Sequence, residues 1–183
     1  MSRIARRKPL IPPAPPLSPL PPPSQPPPGL WRWALPLLLL LYLGLAVAHA
    51  QLVPLGATGY QNAPDEAAHV VYVRAVAEGR LPTRSSGEKT PNGYEWHQPP
   101  LYYFLAARFL PFGERALRYF SILCGLVGLL LIYRAARLLF PDDPIVATLA
   151  AGIAALTPTH IALTSTVNND PLLEVCFSAA LLV

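Results

Sequence analysis

Charged residues are scarce in this chain, at 13% of 183 residues, against roughly a quarter in an ordinary soluble domain. The shortage is uneven: charges sit in short clusters separated by long apolar runs, which excludes one soluble core under a solvated charged shell. Cysteine is nearly absent. Cys124 and Cys176 both lie inside apolar runs without metal-type spacing, which excludes a disulfide framework and leaves them as buried apolar residues. The formal net charge of +4 makes no nucleic-acid patch. Arg3, Arg6, Arg7 and Lys8 precede the first apolar run, where basic residues orient a membrane segment with its cytoplasmic side first. Nucleic acid is therefore not an expected partner.

Hydrophobic residues make up 52% of the chain, and their grouping predicts an all-α integral membrane protein, a multi-span helix bundle in the cytoplasmic membrane. Residues 1–30 form a basic, proline-rich tail that cannot pack as a helix interior and reads as a disordered, PPII-like cytoplasmic segment. A first span covers 31–53, with Trp31 and Trp33 as interfacial aromatics and no charge from Trp33 to Ala48, long enough to cross. Ala48-His49-Ala50 before Gln51 also fits a cleavable signal peptide; either way the following residues lie on the far side. Residues 54–114 contain no spanning run and read as a large outer loop holding two short helices. A second span covers 115–140 and Pro141-Asp142-Asp143-Pro144 makes a tight turn. Arg134 and Arg137 beside it put that turn in the cytoplasm. A third span covers 145–163, a second outer loop 164–170, and a fourth apolar run 171–183. That last run is shorter than the roughly 20 residues a crossing needs. The sequence thus reads as the N-terminal part of a longer protein, truncated in its fourth span.

The outer loops hold the candidate chemistry. Pro64-Asp65-Glu66 suits a helix start, and Gly79 with Pro82 an end near Glu78. On that helix Asp65 and His69 share one face a turn apart. A carboxylate there could act as a general base or bind a cation; equally, Asp65 and Glu66 could only stabilise the positive end of the helix dipole. The spacing differs from that of a His-Glu-x-x-His zinc protease. Glu95-Trp96-His97-Gln98-Pro99-Pro100 leads into a second short helix whose Tyr102 and Tyr103 offer flat surfaces for sugars or lipid headgroups. Its apolar character predicts that it lies in the interface or packs on the spans. Glu95 and His97 form at most a weak metal pair. Asn168-Asn169-Asp170-Pro171 opens the fourth run, with Asp170 as either a cap or a functional acid. Glu174, one turn further, is an acid at membrane depth.

Pro64-Asp65-Glu66-x-x-His69, Gly79-Arg80-Leu81-Pro82 and His97-Gln98-Pro99-Pro100-Leu101-Tyr102-Tyr103, in one outer loop after the first span, resemble the GT-C glycosyltransferases. The similarity is to bacterial members of the protein O-mannosyltransferase and aminoarabinose-transferase type (glycosyltransferase family 39-like). Asn168-Asn169-Asp170-Pro171 is similar to that family's second acidic motif, and the likeness runs from about Leu35 to Val183. It implies transfer of a sugar from a polyprenyl-phosphate-linked donor to a lipid, glycan or protein acceptor on the outer face. Asp65 would be the catalytic carboxylate, with Glu66 assisting. His69, His97, Gln98, Tyr102, Asn169 and Asp170 would bind substrate, and a divalent cation could join Asp170. Arg74, Arg115 and Arg118 would be candidates for the donor phosphate. The competing expectation is a non-catalytic membrane protein that binds a lipid, a glycan or a protein partner.

Overall fold

A computed structural model of the protein describes residues 31–55, 65–87, 89 and 91–183. The proline-rich tail and the Asn62-Ala63-Pro64 part of the first acidic motif lie outside the described residues. The described residues are mostly helical, with no strand among them. After a single turn at Trp31–Trp33, α1 runs Ala34–Leu52, α2 Glu66–Ala77, α3 Arg84–Gly87 and α4 Leu101–Ala106. Then follow α5 Glu114–Leu139, α6 Pro144–Leu156, α7 Pro158–Thr164 and α8 Asp170–Ala180. Two of them, α1 and α5, are long and apolar enough to cross a membrane.

The long helices pack through small residues. On α1, Tyr42, Ala46 and Ala50 recur every fourth position and are buried, while Leu37, Leu40, Leu41 and Leu45 stay exposed. On α6 the buried stripe is Ala147, Ala151 and Ala155. Lipid is as apolar as leucine, so spans gain by bringing backbones close over small side chains while the leucines face the acyl chains. Helix α5 is central, against α1, α6, α7 and α8. Its Gly125 admits the Tyr42 hydroxyl and Thr164, and its Gly128 admits Glu174; a Cβ at Gly128 would lie 2.9 Å from Glu174 Oε1.

The sequence reads 145–163 as one unbroken span, whereas α6 and α7 meet at an angle of 67°. The break follows from Pro158, first residue of α7: proline forces the residue before it out of the helical region, and Thr157 is extended at φ −70, ψ 119. At the other end of α6, the Asp143 carboxylate accepts the Ile145 and Val146 amides at 2.9 and 3.2 Å, with Pro144 leading the helix.

Beside the bundle, α2, α4 and the turn Tyr94–His97 cover the N-terminal end of α5 with a separate core: Val73, Tyr72, Trp96, Tyr102, Tyr103, Leu117, Phe120 and Val167. Tyr72 and Tyr103 stack at 3.6 Å. Helix α2 ends in a Schellman motif, Arg80 N–H to Ala75 O and Gly79 N–H to Val76 O, both 2.9 Å. Gly79 sits at φ +77, a left-handed conformation that glycine adopts without strain.

Candidate functional site

The first acidic motif separates two neighbouring carboxylates. Asp65 holds the cap position of α2 but makes no side-chain cap bond; it is exposed and accepts a hydrogen bond from the Tyr94 hydroxyl at 3.1 Å. Burial, and then that bond, push the Tyr94 phenol above its ordinary value. At the cap position the Asp65 charge still lies at the positive end of the α2 dipole, without a cap hydrogen bond.

Glu66 turns the other way, into the protein, with its side chain 1% exposed. It pairs in a two-pronged fashion with Arg118 of α5: Nε to Oε1 at 2.6 Å and Nη2 to Oε2 at 2.5 Å. It also accepts the Val167 amide at 3.0 Å. Arg118 sends its remaining N–H groups to the carbonyls of Ala50, Val53 and Pro54, at 2.7, 2.7 and 3.1 Å. All five guanidinium donors are used, and three of them satisfy carbonyls at the C-terminal end of α1, where a cation is also favoured by the dipole. Two expectations change here. Glu66 offers no surface to a substrate, and Arg118, fully buried and saturated, has no donor left for a phosphate. Arg74 is in an ion pair with Glu114. Arg115 donates to Gln51 Oε1 at 3.1 Å, which leaves its charge unneutralised among the described residues.

His69 lies beneath the site, 5% exposed, with Nδ1 2.8 Å from the Tyr103 hydroxyl. Burial lowers its pKa, while Glu95, Asp65, Asp170 and Glu66, in that order, oppose the shift. Carboxylates of both acidic loops thus act on the charge of one imidazole, whose hydrogen-bond partner is the Tyr103 hydroxyl. Desolvation, with Glu95 and Asp170 adding to it, raises the Tyr103 phenol. Tyr102 is in the core, bonded to Ser121 Oγ at 2.7 Å, and desolvation raises its phenol too. Contrary to the substrate-binding expectation, it presents no surface. His97 is exposed, its Nδ1 held at 2.8 Å from Tyr94 O. Gln98 bonds Glu95 Oε2 at 3.0 Å and receives Asn169 Nδ2 at 3.4 Å, which ties the two loops directly.

The second loop is set by Asn168, which the sequence reading placed in the motif without giving it a role of its own. Asn168 donates to Leu163 O at 2.6 Å and accepts the Asp170 amide at 2.9 Å, joining the end of α7 to the start of α8. Asp170 is the first residue of α8 rather than its cap and has no ion pair among the described residues. Glu174 pairs with His160 Nε2 at 3.1 Å. These two, with Asp170, Leu173 and Phe177, line an open groove of about 480 Å³. Among the described residues no group of three His, Cys, Asp or Glu side chains converges to hold a metal. Tyr94 carried only the general signal of a loop tyrosine, and nothing local in the Asn168-Asn169-Asp170-Pro171 motif distinguished Asn168 from Asn169 as the residue that joins α7 to α8.

No curated protein and no solved structure matches the chain. Residues 97–183 match the family model described as dolichyl-phosphate-mannose-protein mannosyltransferase. The matched stretch begins at His97, includes Gln98, Asn169 and Asp170, and leaves Asp65 outside it. Over residues 97–183 this all-α membrane protein carries the sequence pattern of that GT-C-like family of membrane glycosyltransferases.

Proposed function

We propose that the chain carries the outer-face acidic site of a glycosyltransferase that moves a sugar from a polyprenyl-phosphate-linked donor to an acceptor hydroxyl. The observation behind this reading is the exposed Asp65 carboxylate, held by one phenol, in a first loop that is tied to the Asp170 loop through the Asn169–Gln98 hydrogen bond. In the reaction the acceptor oxygen attacks the anomeric carbon, the bond from that carbon to the phosphate oxygen breaks, and polyprenyl phosphate leaves with the electron pair. The acceptor's proton passes to Asp65. A hydroxyl is a poor nucleophile until a base takes that proton, and an open carboxylate can reach it where the buried Glu66 cannot. Glu66 then serves as a positioning residue: through Arg118 and Val167 it fixes Asp65, its chain neighbour, relative to the Asp170 loop. Asp170, Asn169, Gln98 and His97 line the acceptor side. Arg115 is a cation without an ion pair among the described residues and would serve the donor phosphate, which prefers such charge-assisted partners. The Asp65 loop faces outward and the N-terminus lies in the cytoplasm, in keeping with Arg134 and Arg137 beside the α5–α6 turn.

The test is transfer of label from polyprenyl-phosphate [³H]mannose to membrane-protein acceptors by membranes carrying the chain. Asp65→Asn is expected to reduce transfer by about 10²–10⁴-fold, the usual contribution of a general base, with expression and thermal unfolding unchanged. Transfer by Asp65→Asn at the wild-type rate would eliminate Asp65 as the base.

A further inference from the structure

At the end of α5 remote from the acidic loops lies a second polar feature that the proposed chemistry does not use. Arg137 is 19 positions beyond Arg118, roughly 28 Å along an α-helix, about the thickness of a hydrocarbon core. Tyr133, Arg134, Arg137, Leu138, Pro141 and Leu182 line an open cavity of about 540 Å³ there. The Nη1 nitrogen of Arg137 is buried and has no hydrogen-bond partner among the described residues. No carboxylate neutralises either arginine among those residues. Of the two acids in the adjoining turn, Asp143 is engaged by the first amides of α6, and Asp142 makes no ion pair with either arginine among the described residues.

We infer that this cavity is a binding site for the phosphodiester headgroup of an anionic membrane lipid. An unpartnered guanidinium N–H is unfavourable where water is excluded, and a phosphate oxygen satisfies both its geometry and its charge. Arg134 lies three residues before Arg137 on the same helix face and supplies a second fork. The Tyr133 ring, Leu138 and Leu182 give the cavity an apolar wall suited to the upper acyl chain. Its place at the end of a spanning helix puts it at headgroup depth, where basic pockets between helices take anionic lipid.

The experiment titrates the purified chain in detergent micelles with dioleoyl phosphatidylglycerol, dioleoyl phosphatidylcholine or inorganic phosphate, and reads thermal unfolding and native mass spectra. The wild type is expected to retain phosphatidylglycerol in preference to phosphatidylcholine and to ignore millimolar inorganic phosphate. Arg137→Gln is expected to weaken phosphatidylglycerol binding about fivefold, in line with about 1 kcal/mol per arginine at such a surface. Arg134→Gln/Arg137→Gln should remove the preference. Arg137→Lys keeps the charge but loses the fork, and should fall between wild type and Arg137→Gln, which tests the site even if the double variant does not fold. Equal binding of the two lipids by wild type, or unchanged selectivity in the arginine variants, overturns the inference. So does equal stabilisation by inorganic phosphate, which would mark a site for a free anion.

Discussion

The Glu66–Arg118 pair makes the sharpest prediction about stability. Both side chains are excluded from solvent, so removing one charge strands the other in a medium that cannot hydrate it. Breaking such a pair typically costs about 3–5 kcal/mol. Glu66→Gln retains an oxygen that can still accept from Arg118 Nε and the Val167 amide, but it places an amide donor against Arg118 Nη2; a loss of about 3 kcal/mol is expected. Arg118→Met strands the Glu66 carboxylate and also leaves the carbonyls of Ala50, Val53 and Pro54 without donors. Its loss should be the larger, about 5 kcal/mol. In the double variant no buried charge remains. It should fall short of the summed single losses by about 1–3 kcal/mol, the coupling expected of residues in direct contact.

The assay is denaturant unfolding in detergent micelles followed by far-ultraviolet circular dichroism, with Arg74→Gln as an internal control. The Arg74–Glu114 pair joins the same two helices, α2 and α5, but Arg74 is 55% exposed; solvent screening should hold its contribution below about 1 kcal/mol. If Glu66→Gln destabilises no more than Arg74→Gln, or if the two single losses simply add in the double variant, the account of this pair as the tie between α1, α2, α5 and the Val167 loop is wrong.

Gly125→Ala should destabilise the bundle by about 1–3 kcal/mol, the usual range for overpacking, because the new methyl meets the Tyr42 hydroxyl and Thr164. Combining it with Tyr42→Phe should restore part of the loss in the same unfolding assay, and no recovery would refute the assignment of the clash. His69 has a pKa lowered from 6.5 by burial, so the unfolded chain binds a proton near pH 6.5 that the folded chain refuses. The sign follows: its stabilisation is complete above pH 6.5 and declines as pH falls below that value. Thermal unfolding between pH 8 and 5 should show a downward slope for wild type that is shallower in His69→Gln, and parallel curves would exclude His69 as its source.

The helices were legible because their signals are local. A charge-free leucine run needs no partner to be read as a span, and proline followed by acids, with a glycine about a turn past the last apolar position, marks α2 within a residue or two. The bend between α6 and α7 was equally local: Thr157-Pro158 stands in the sequence, and the restriction on a residue before proline was enough to place it. It is hidden in an apolar run because composition there speaks for membrane depth rather than for continuity of the helix. The packing of the Tyr72–Tyr103 stack against α5 depends instead on contacts between residues far apart in the chain, which periodicity does not report.

The same distinction explains the site. Asp65 and Glu66 are adjacent acids at a helix start, and nothing local separates a carboxylate open to an acceptor from one committed to the fold. What separates them is Arg118, 52 residues away, and the Val167 amide, 101 residues from Glu66. A helix turns by 100° per residue, so two consecutive side chains at its first turn must point in different directions. Once α5 presents a guanidinium to the inner of the two, the outer is left exposed, with the Tyr94 hydroxyl as its partner. Had the helix started one residue later, the residue in register with Arg118 would be Ala67 and the guanidinium would be stranded. The buried pair thus fixes the register of α2, and with it which acid is available for chemistry. In the proposed reaction Glu66 would then act without touching a substrate, and two acids that look interchangeable in the sequence differ in the structure by burial alone: one exposed, one enclosed with Arg118.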